Sequence, residues 1–335
     1  MKTSAILLVG GMGTRLLPLT LNTPKPMLQV AGVPFTEHQI RKAADAGISE
    51  IVLATSYKAE LFQPYFGNGE KFGIKIKYAV EETALGTGGG IRNAAAALDK
   101  CDQVVIFNGD VLSGHDLSAQ LDFHLKNKAD ITLYLTKVAD ARAFGCVELA
   151  ANNRIKSFLE KMENPVSNLI NAGCYIFNQQ VIEKIPDNQV VSVERQTFPE
   201  LLAAGVSVFG YLDNSYWLDI GTPAALVKAS ADLITGEIKS SATPIHSGDH
   251  LISPSASVAS NCVINLGSVI ESKVEMEYGG RWARRQFRGR STIGRLFVGP
   301  SAIYDTQKVI GEQDNLRGFV GISERHKPMR VWIFV

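Results

Sequence analysis

The first two thirds of the chain alternate short, continuous apolar runs with amphipathic segments, and this pattern limits the possible folds. The apolar runs lie at residues 5–9, 51–55, 74–79 and 104–107. Helical patterns separate them near residues 37–46, 58–66 and 91–98. Strands without polar alternation that are separated by helices are typical of a parallel sheet covered on both faces. The pattern therefore predicts an α/β fold with a doubly wound, mostly parallel sheet.

Four more apolar runs extend this region, at residues 131–138, 146–149, 155–158 and 172–177. The pair Asn152-Asn153 stands between two of them, and such a pair is typical of a hairpin turn. A last amphipathic pattern near residues 223–234 predicts a closing helix. We therefore expect a first domain over residues 1–235.

The remainder of the chain has a different period. Residues 236–251 are rich in Ser, Thr, Gly, His and Pro and are interpreted as a linker. Beyond them an apolar residue recurs every six positions, at Ile252, Val258, Ile264, Ile270 and Met276. Small residues stand two positions before three of these, at Ala256, Cys262 and Ser268. A six-residue apolar period predicts a left-handed parallel β-helix over residues 252–335.

That period becomes irregular after about residue 276. Arginines crowd the next stretch, at Arg281, Arg284, Arg285, Arg288 and Arg290. The spacing of six then returns in a shifted phase, at Val298, Tyr304, Ile310, Leu316 and Ile322. The arginines are compatible with a solvated arm, a damaged repeat, or a patch for phosphate or nucleic acid, and we expect the function to lie in the first domain.

Composition excludes several classes of function. Lys and Arg number 34 against 33 Asp and Glu, so the net charge of +1 lacks the basic excess of a protein that binds nucleic acid or an anionic membrane. The four cysteines, Cys101, Cys146, Cys174 and Cys262, form no CxxC pair, which fits free thiols in a reducing compartment. No apolar stretch reaches the length of a membrane span. We expect a cytoplasmic protein.

The strongest chemical signal follows the first apolar run and reads Gly10-Gly11-Met12-Gly13-Thr14-Arg15. A glycine-rich turn at a strand end presents backbone N–H groups to an anion. The motif lacks the Gly-Lys-Ser/Thr of a Walker A loop and the third glycine of a dinucleotide fingerprint. Arg15 and Lys25 add two cations to the same loop, and Arg grips phosphate in a bidentate fork. The loop therefore predicts a polyphosphate site.

Together with Pro24-Lys25-Pro26, this loop resembles the signature of the sugar-1-phosphate nucleotidylyltransferases, also called nucleotide-sugar pyrophosphorylases. The resemblance covers residues 3–235, and its further motifs are Glu82-x-x-Leu85-Gly86-Thr87-Gly88, Phe107-Asn108-Gly109-Asp110, Phe158-Leu159-Glu160-Lys161, Asn171-Ala172-Gly173, Val193-Glu194-Arg195-Gln196-Thr197-Phe198-Pro199 and Trp217-Leu218-Asp219-Ile220-Gly221-Thr222-Pro223. Within this family the chain is most similar to actinobacterial mannose-1-phosphate guanylyltransferases, which also carry a β-helix tail.

The resemblance implies a reaction in which a sugar 1-phosphate oxygen attacks the α-phosphorus of a nucleoside triphosphate and releases pyrophosphate. The expected pair is GTP and mannose 1-phosphate. The alternatives are manno-heptose 1-phosphate with GTP, glucose 1-phosphate with UTP or TTP, or a non-catalytic homologue that binds nucleotide sugars. β-Helix tails often mediate assembly in this family, so the resemblance also implies a homo-oligomer.

The resemblance also assigns roles to individual residues. Arg15, Lys25 and Lys161 would be the catalytic cations. The nucleotide would contact Gly10, Gly11, Gly13, Thr14, Glu81, Gly86 and Asn108. The sugar phosphate would contact Gly145, Glu160, Asn171, Glu194 and Arg195. Asp110 and Asp219 would hold Mg²⁺, an ion that prefers oxygen ligands and retains several waters.

Base choice depends on Glu81, which stands five residues before Gly86. Thymidylyltransferases of this family carry Gln at the corresponding position. Guanine presents adjacent N–H donors, which a carboxylate accepts, whereas thymine and uracil match an amide better. The alternative is a solvated loop carboxylate with no role in recognition. Glu at this position favours GTP.

Overall fold

The computed structural model describes residues 1–17, 19–56 and 58–242, and beyond them the backbone of short strands between residues 251 and 305. The strands up to residue 242 are, in chain order, β1 (Thr3–Leu8), β2 (Gln29–Val30), β3 (Val33–Pro34), β4 (Glu50–Thr55), β5 (Lys75–Val80), β6 (Gln103–Asn108), β7 (Val111–Ser113), β8 (Ile131–Lys137), β9 (Gly145–Leu149), β10 (Ile155–Glu160), β11 (Leu169–Asn178), β12 (Val208–Leu212) and β13 (Trp217–Asp219). The α-helices are α1 (Phe35–Asp45), α2 (Gln63–Phe66), α3 (Gly86–Ala95), α4 (Leu117–Lys126), α5 (Gln179–Ile182), α6 (Phe198–Ala203) and α7 (Pro223–Thr235).

Nine strands form one mixed sheet in the order β10-β9-β11-β6-β1-β4-β5, with β8 beside β11 and β12 beside β8. The part formed by β6, β1, β4 and β5 is parallel. The interior residues of β1 and β4 are fully buried, as expected for strands covered on both faces. The prediction of an α/β fold with a mostly parallel sheet is confirmed.

The antiparallel strand β11 departs from the predicted pattern. It pairs antiparallel with both β6 and β8. Its apolar run is as continuous as those of the parallel strands, because β11 is also buried among neighbours. The apolar pattern therefore does not distinguish a parallel strand from an antiparallel one. The hairpin predicted at residues 152–153 is confirmed, since β9 and β10 pair antiparallel and Asn153 adopts a positive φ of 64°.

Two predicted helices differ from those observed. The helical pattern at residues 58–66 forms a 3₁₀ turn, Ala59–Leu61, and then the single turn α2, which has a proline in its first positions. Helix α3 begins at Gly86, five residues before the predicted start, because glycines occupy its first turn and hide the helical period. No helix among the described residues is both long and apolar enough to cross a lipid bilayer.

The chain divides into two compact units. The first comprises Met1–Met12, Pro24–Pro26 and His38–Asp219, and the second comprises Gly13–Thr23, Met27–Glu37 and Ile220–Val335. In the second unit α7 confirms the predicted closing helix. Its N-cap Thr222 accepts a hydrogen bond from the Ala225 amide at 3.2 Å, and Gly236 ends it in the left-handed conformation. The Ser230 hydroxyl on this helix accepts a hydrogen bond from the Ala31 amide.

The described strands of the tail are β14 (Leu251–Ile252), β15 (Ser257–Val258), β16 (Ser268–Ile270), β17 (Val274–Met276), β18 (Gly279–Arg281), β19 (Arg285–Arg288), β20 (Ser291–Ile293), β21 (Leu296–Val298) and β22 (Ile303–Asp305). They pair only in parallel, in the orders β14-β16-β19-β22, β15-β17-β20 and β18-β21. Half of the predicted linker (residues 243–250) lies outside the described residues, as do Ala256, Cys262, Ile264, Arg284, Arg290, Ile310, Leu316 and Ile322.

The strand register explains the shifted phase of the six-residue period. Ile252 pairs with Ile270, a step of three hexads. Ile270 then pairs with Phe287, and Phe287 with Tyr304. Each of these two steps is one residue shorter than three hexads. Two shortened steps move the period by two positions, which is the shift between Ile270 and Tyr304. The arginine-rich stretch supplies strands β18 and β19.

Candidate active site

The turn between β6 and β7 carries Asp110 at the carboxyl end of two parallel strands. Leu8, the last residue of β1, is in register with Asn108, the last residue of β6. The Gly109 amide donates a hydrogen bond to the Leu8 carbonyl at 2.9 Å. A Cβ at Gly109 would lie 2.2 Å from that carbonyl oxygen, so only glycine allows this approach. The turn therefore presents Asp110 where an open α/β sheet places its ligands.

Lys25 contacts this carboxylate directly. Its Nζ lies 2.9 Å from Oδ2 of Asp110. Lys25 begins the 3₁₀ turn Lys25–Met27, which follows the glycine-rich loop in sequence. Lys25 and Asp110 were predicted as a phosphate-binding cation and a metal ligand, and the structure brings them together.

The second predicted metal ligand lies on the strand that pairs with β7. Strands β7 and β13 form a two-stranded antiparallel ribbon in which Asp219 is in register with Val111. Residues directly opposite each other in such a ribbon have Cα atoms about 4.5–5.5 Å apart. The indole N–H of Trp217 donates to the Ala172 carbonyl at 3.1 Å, which ties β13 to β11. The ribbon thus brings Asp219 beside the residue that follows Asp110.

The predicted phosphate loop is divided between the two units. In the first unit, the Ser56 hydroxyl donates to the Gly10 carbonyl at 2.7 Å, while Gly11 is exposed with open space where a Cβ would lie. In the second unit, Gly13 has a positive φ of 61° and begins the turn Thr14–Leu16. The Thr20 hydroxyl closes that turn by donating to the Gly13 carbonyl at 3.0 Å. Thr14 and Arg15 are exposed in this turn.

A second group of predicted residues lies around Glu160. Gly145 is in register with Glu160, and a Cβ at Gly145 would lie 2.8 Å from Glu160 Oε2. Lys161 adopts a positive φ of 51° and places its Nζ 3.6 Å from Glu160 Oε1. Burial raises the pKa of Glu160, the charge of Glu194 adds to this, and Lys161 and Arg195 oppose it. Four predicted sugar-phosphate residues and Lys161 therefore share one neighbourhood.

Asn171 has both ends of its side chain bonded within β11. Its Nδ2 donates to the Tyr175 hydroxyl at 2.9 Å, and its Oδ1 accepts from the Gly173 amide at 3.1 Å. These contacts lie at the register shift that separates Asn171 from Tyr175 along β8. The side chain is thus held in one orientation at an irregularity of the strand, a position often found near functional sites.

Glu194 lies in a π-helical segment, Val193–Thr197, and is held by a residue to which the sequence assigned no role. Thr87 in α3 donates its hydroxyl to Glu194 Oε2 at 2.7 Å and accepts from the Val193 amide at 2.9 Å. Ser192 donates a second hydroxyl to the same oxygen at 3.1 Å. Thr87 belongs to the motif Leu85-Gly86-Thr87-Gly88, but only its contact across the fold identifies its function.

Glu81 lies beside the start of α3. Its Oε2 accepts a hydrogen bond from the Leu85 amide at 2.9 Å. A Cβ at Gly90 would lie 2.7 Å from Glu81 Oε1, so the glycine makes room for the carboxylate. Burial raises the pKa of Glu81, against the Leu85 hydrogen bond. Gly86 is exposed with a positive φ of 71°, and a Cβ there would lie 2.6 Å from the Val191 carbonyl oxygen.

Two histidines of this unit have structural roles. His124 hydrogen-bonds Thr132 and Asn178, at 2.8 and 3.2 Å. His115 hydrogen-bonds Gln120 at 3.1 Å and stacks on Tyr134. Burial lowers the pKa of both rings, so that both are neutral at pH 7. Each ring is occupied by contacts that hold the fold.

The structure thus describes the Lys25–Asp110 pair at the ends of β1 and β6 and a second polar group around Glu160. The sequence profile of the family described as Nucleotidyl transferase matches residues 4–236. The chain belongs to this family.

Two sequence relatives and one solved structure show more specific similarities. The chain is 49% identical over 281 residues to the mannose-1-phosphate guanylyltransferase of Mycobacterium tuberculosis, covering 84% of this chain and 78% of the relative. It is 31% identical to mannose-1-phosphate guanylyltransferase 1 of Arabidopsis thaliana, covering 97% of each. Among solved structures it is similar to HddC from Yersinia pseudotuberculosis complexed with GMP-PN, with a TM-score of 0.58, 27% identity, and coverage of 69% of this chain and 98% of that one.

Proposed function

We propose that the chain transfers GMP from GTP to mannose 1-phosphate, forming GDP-mannose and releasing pyrophosphate. The relatives named for this reaction support it, one of them at 49% identity over 84% of the chain. The structural observation that carries it is the contact of Lys25 with Asp110 at the carboxyl ends of the parallel strands. The pair supplies a cation and a carboxylate at this sheet edge, as a reaction between two polyanions requires.

The chemistry needs charge neutralisation more than proton transfer. A phosphate monoester has a second pKa near 6, so mannose 1-phosphate is already a nucleophilic dianion at about pH 7. Repulsion between this dianion and the triphosphate is the main obstacle, and positioned cations remove it. Arg15 and Lys25 would hold the triphosphate, with the backbone N–H groups of Gly10, Gly11, Gly13 and Thr14, while Lys161 would hold the sugar phosphate.

The two carboxylates fit a magnesium ion. The Lys25 ammonium already stands in for a cation at Asp110, and the β7–β13 register brings Asp219 to the neighbouring strand. Carboxylate oxygens suit Mg²⁺, which needs only one or two of them beside water and phosphate ligands. Held by Asp110 and Asp219, it would neutralise charge on the α-phosphate and the sugar phosphate.

Sugar and base recognition would use the two fixed groups of acceptors. Glu160 and Glu194 would accept bonds from sugar hydroxyls, with Asn171, Gly145 and Arg195 completing the sugar-phosphate pocket. Glu81, held by the Leu85 amide, would accept N–H groups of guanine. Gly86 and Asn108 would line the nucleotide. The similar structure of HddC, which is complexed with GMP-PN, supports this choice of base.

The test is pyrophosphate release with Mg²⁺ from GTP, ATP, UTP, CTP and TTP, each with mannose, glucose and heptose 1-phosphates. We expect turnover confined to GTP with mannose 1-phosphate. Turnover with another pair would keep the mechanism and refute the Glu81 argument. Folded protein that releases no pyrophosphate with any pair would overturn the proposal and favour a non-catalytic binding homologue.

We also propose the division of the chain into a catalytic domain over residues 1–235, a linker over 236–251 and a β-helix tail over 252–335. The parallel registers of β14 to β22 support a stacked, three-faced tail. Such a tail would join copies of the chain into a homo-oligomer, which light scattering on the full chain would test. The free, buried Cys101, Cys146 and Cys174 fit a cytoplasmic location.

A further inference from the structure

Helix α1 reaches the Asp110 turn through a buried glutamine. Gln39 is 5% exposed, and its Nε2 lies 2.7 Å from the Asn108 carbonyl and 3.2 Å from the Val111 carbonyl. These two carbonyls bracket Gly109 and Asp110. One side-chain amide thus uses its two N–H groups to join both ends of the turn that carries the carboxylate.

The same amide acts on the second carboxylate through the β7–β13 ribbon. Val111, whose carbonyl accepts from Gln39, is the register partner of Asp219. A shift of the Val111 backbone would therefore move Asp110, its neighbour in the chain, and Asp219, its neighbour across the ribbon. Gln39 is thus hydrogen-bonded to Val111, which follows Asp110 in the chain and lies opposite Asp219 in the ribbon.

Lys42, one helical turn after Gln39, holds the other end of β7. Its Nζ lies 2.8 Å from the carbonyl oxygens of both Ser113 and His115. Residues three apart on a helix lie on one face. Gln39 and Lys42 thus fix the start and the end of β7 to a single helix face.

Burying the Gln39 side chain costs free energy that an apolar side chain at this position would not cost. Its Oε1 is buried and has no hydrogen-bond partner among the described residues. An unpaired buried oxygen costs about 1–3 kcal/mol, whereas an apolar side chain of the same size would leave no such atom. A group kept at this cost points to a function for the two N–H bonds.

We propose that Gln39 is a positioning residue that sets the geometry of Asp110 and Asp219 for a divalent cation. The inference rests on the proposed function, because it requires these carboxylates to be the metal ligands. Groups that orient metal ligands alter metal affinity about 10–100-fold when they are removed. Methionine at position 39 would keep the size of the side chain and remove both donors.

The test is Mn²⁺ binding to the full chain, followed by the electron paramagnetic resonance signal of free Mn²⁺, with melting temperatures measured in parallel. For Gln39→Met we expect a Kd for Mn²⁺ about 10-fold higher than that of the unsubstituted chain. The matched control is Gln103→Met, which removes another buried glutamine, 1% exposed, at the opposite end of β6. We expect this control to change the Kd by less than about twofold, because Gln103 lies at the end of β6 away from Asp110 and orients neither carboxylate.

Asp110→Asn separates the failure of this inference from that of the metal assignment. Loss of Mn²⁺ binding in Asp110→Asn, with unchanged binding in Gln39→Met, would overturn the role of Gln39 alone. An unsubstituted chain that binds no Mn²⁺ would overturn both. Should Gln39→Met not fold, Gln39→Asn keeps the amide but shortens its reach, and an Mn²⁺ affinity equal to that of the unsubstituted chain would refute the proposal.

Discussion

Lys25 Nζ lies 2.9 Å from Asp110 Oδ2, and the lysine side chain is 11% exposed whereas the aspartate side chain is 40% exposed. The cation therefore contacts the carboxylate from the protein side, and solvent still reaches the carboxylate from the other side. A second cation can approach Asp110 without first removing Lys25. The contact also holds the ammonium group close to where phosphate charge would arrive.

Lys25→Met tests both effects of this contact. Without the competing ammonium, Asp110 should bind Mn²⁺ about 2–5-fold more tightly in the nucleotide-free chain, in line with a partly exposed ion pair of up to about 1 kcal/mol. Turnover should nevertheless fall by about 10²–10³-fold, because a cation aimed at the reacting phosphates is lost. Steady-state rates and Mn²⁺ titration measure the two quantities. Lys156→Met, in an exposed pair with Glu148, is the control and should change neither.

Thr87→Val removes the hydroxyl that donates to Glu194 while keeping the shape of the side chain. The KM for mannose 1-phosphate should rise about 10-fold, consistent with about 1.5 kcal/mol for a hydrogen bond to a charged group. The KM for GTP should stay unchanged. Thr87→Ser retains the hydroxyl and should recover most of the affinity. Equal effects of the Val and Ser variants would show that Thr87 acts through packing only.

Gly109→Ala places a Cβ 2.2 Å from the Leu8 carbonyl oxygen, so the backbone of the turn must move. We expect the free energy of unfolding to fall by about 1–3 kcal/mol, the usual range for overpacking, and turnover to fall with it. Urea unfolding measures the first effect. Gly114→Ala is a matched control, since its Cβ would have no neighbour closer than 3.5 Å. A stable, active Gly109→Ala chain would contradict the close approach.

Lys42 should make stability depend on pH. Burial lowers its pKa from 10.5 to about 8, and the charges of Cys174, Asp213 and Asp116 offset this in part. Between these two pKa values the unfolded chain binds more protons at this position, so its contribution to stability rises with pH over that window. The gain relative to Lys42→Met should reach at most about 3 kcal/mol.

Urea unfolding of the unsubstituted chain and of Lys42→Met, from about pH 7.5 to 10.5 at a series of points across this window, measures that difference. Groups that titrate in both proteins cancel in the comparison. The exposed variant Lys156→Met should show no such trend. A difference that is constant with pH would mean that Lys42 keeps its ordinary pKa in the folded protein.

The strands were predictable because burial on two faces imposes continuous apolar runs. Residues 5–9, 51–55, 74–79 and 104–107 predicted β1, β4, β5 and β6 to within a few residues. The antiparallel direction of β11 was not predictable, since a buried strand has the same composition in either direction. The glycine-rich start of α3 was missed because glycine carries no helical period.

The candidate site was predictable where one short motif carries the chemistry, as at Lys25 and Asp110. The sequence did not predict a role for Thr87, Gln39 or Lys42, because each acts through a contact with a segment distant in sequence. A glutamine within an amphipathic helix looks like any other polar position until its carbonyl partners are known. Motif spacing thus predicted the groups to which we assign substrate contacts, and tertiary contacts were needed to identify the groups that hold them.

The β7–β13 ribbon joins Val111 to Asp219 across roughly a hundred positions of chain, and closing so long a loop costs conformational entropy before any contact is made. During synthesis, β1, β4, β5 and β6 can leave the ribosome and pair while residues 217–219 are still unmade. A nascent or prematurely ended chain can therefore hold a formed parallel sheet and only one of the two carboxylates. The order of synthesis would therefore make the proposed metal site one of the last parts of the growing domain to be completed.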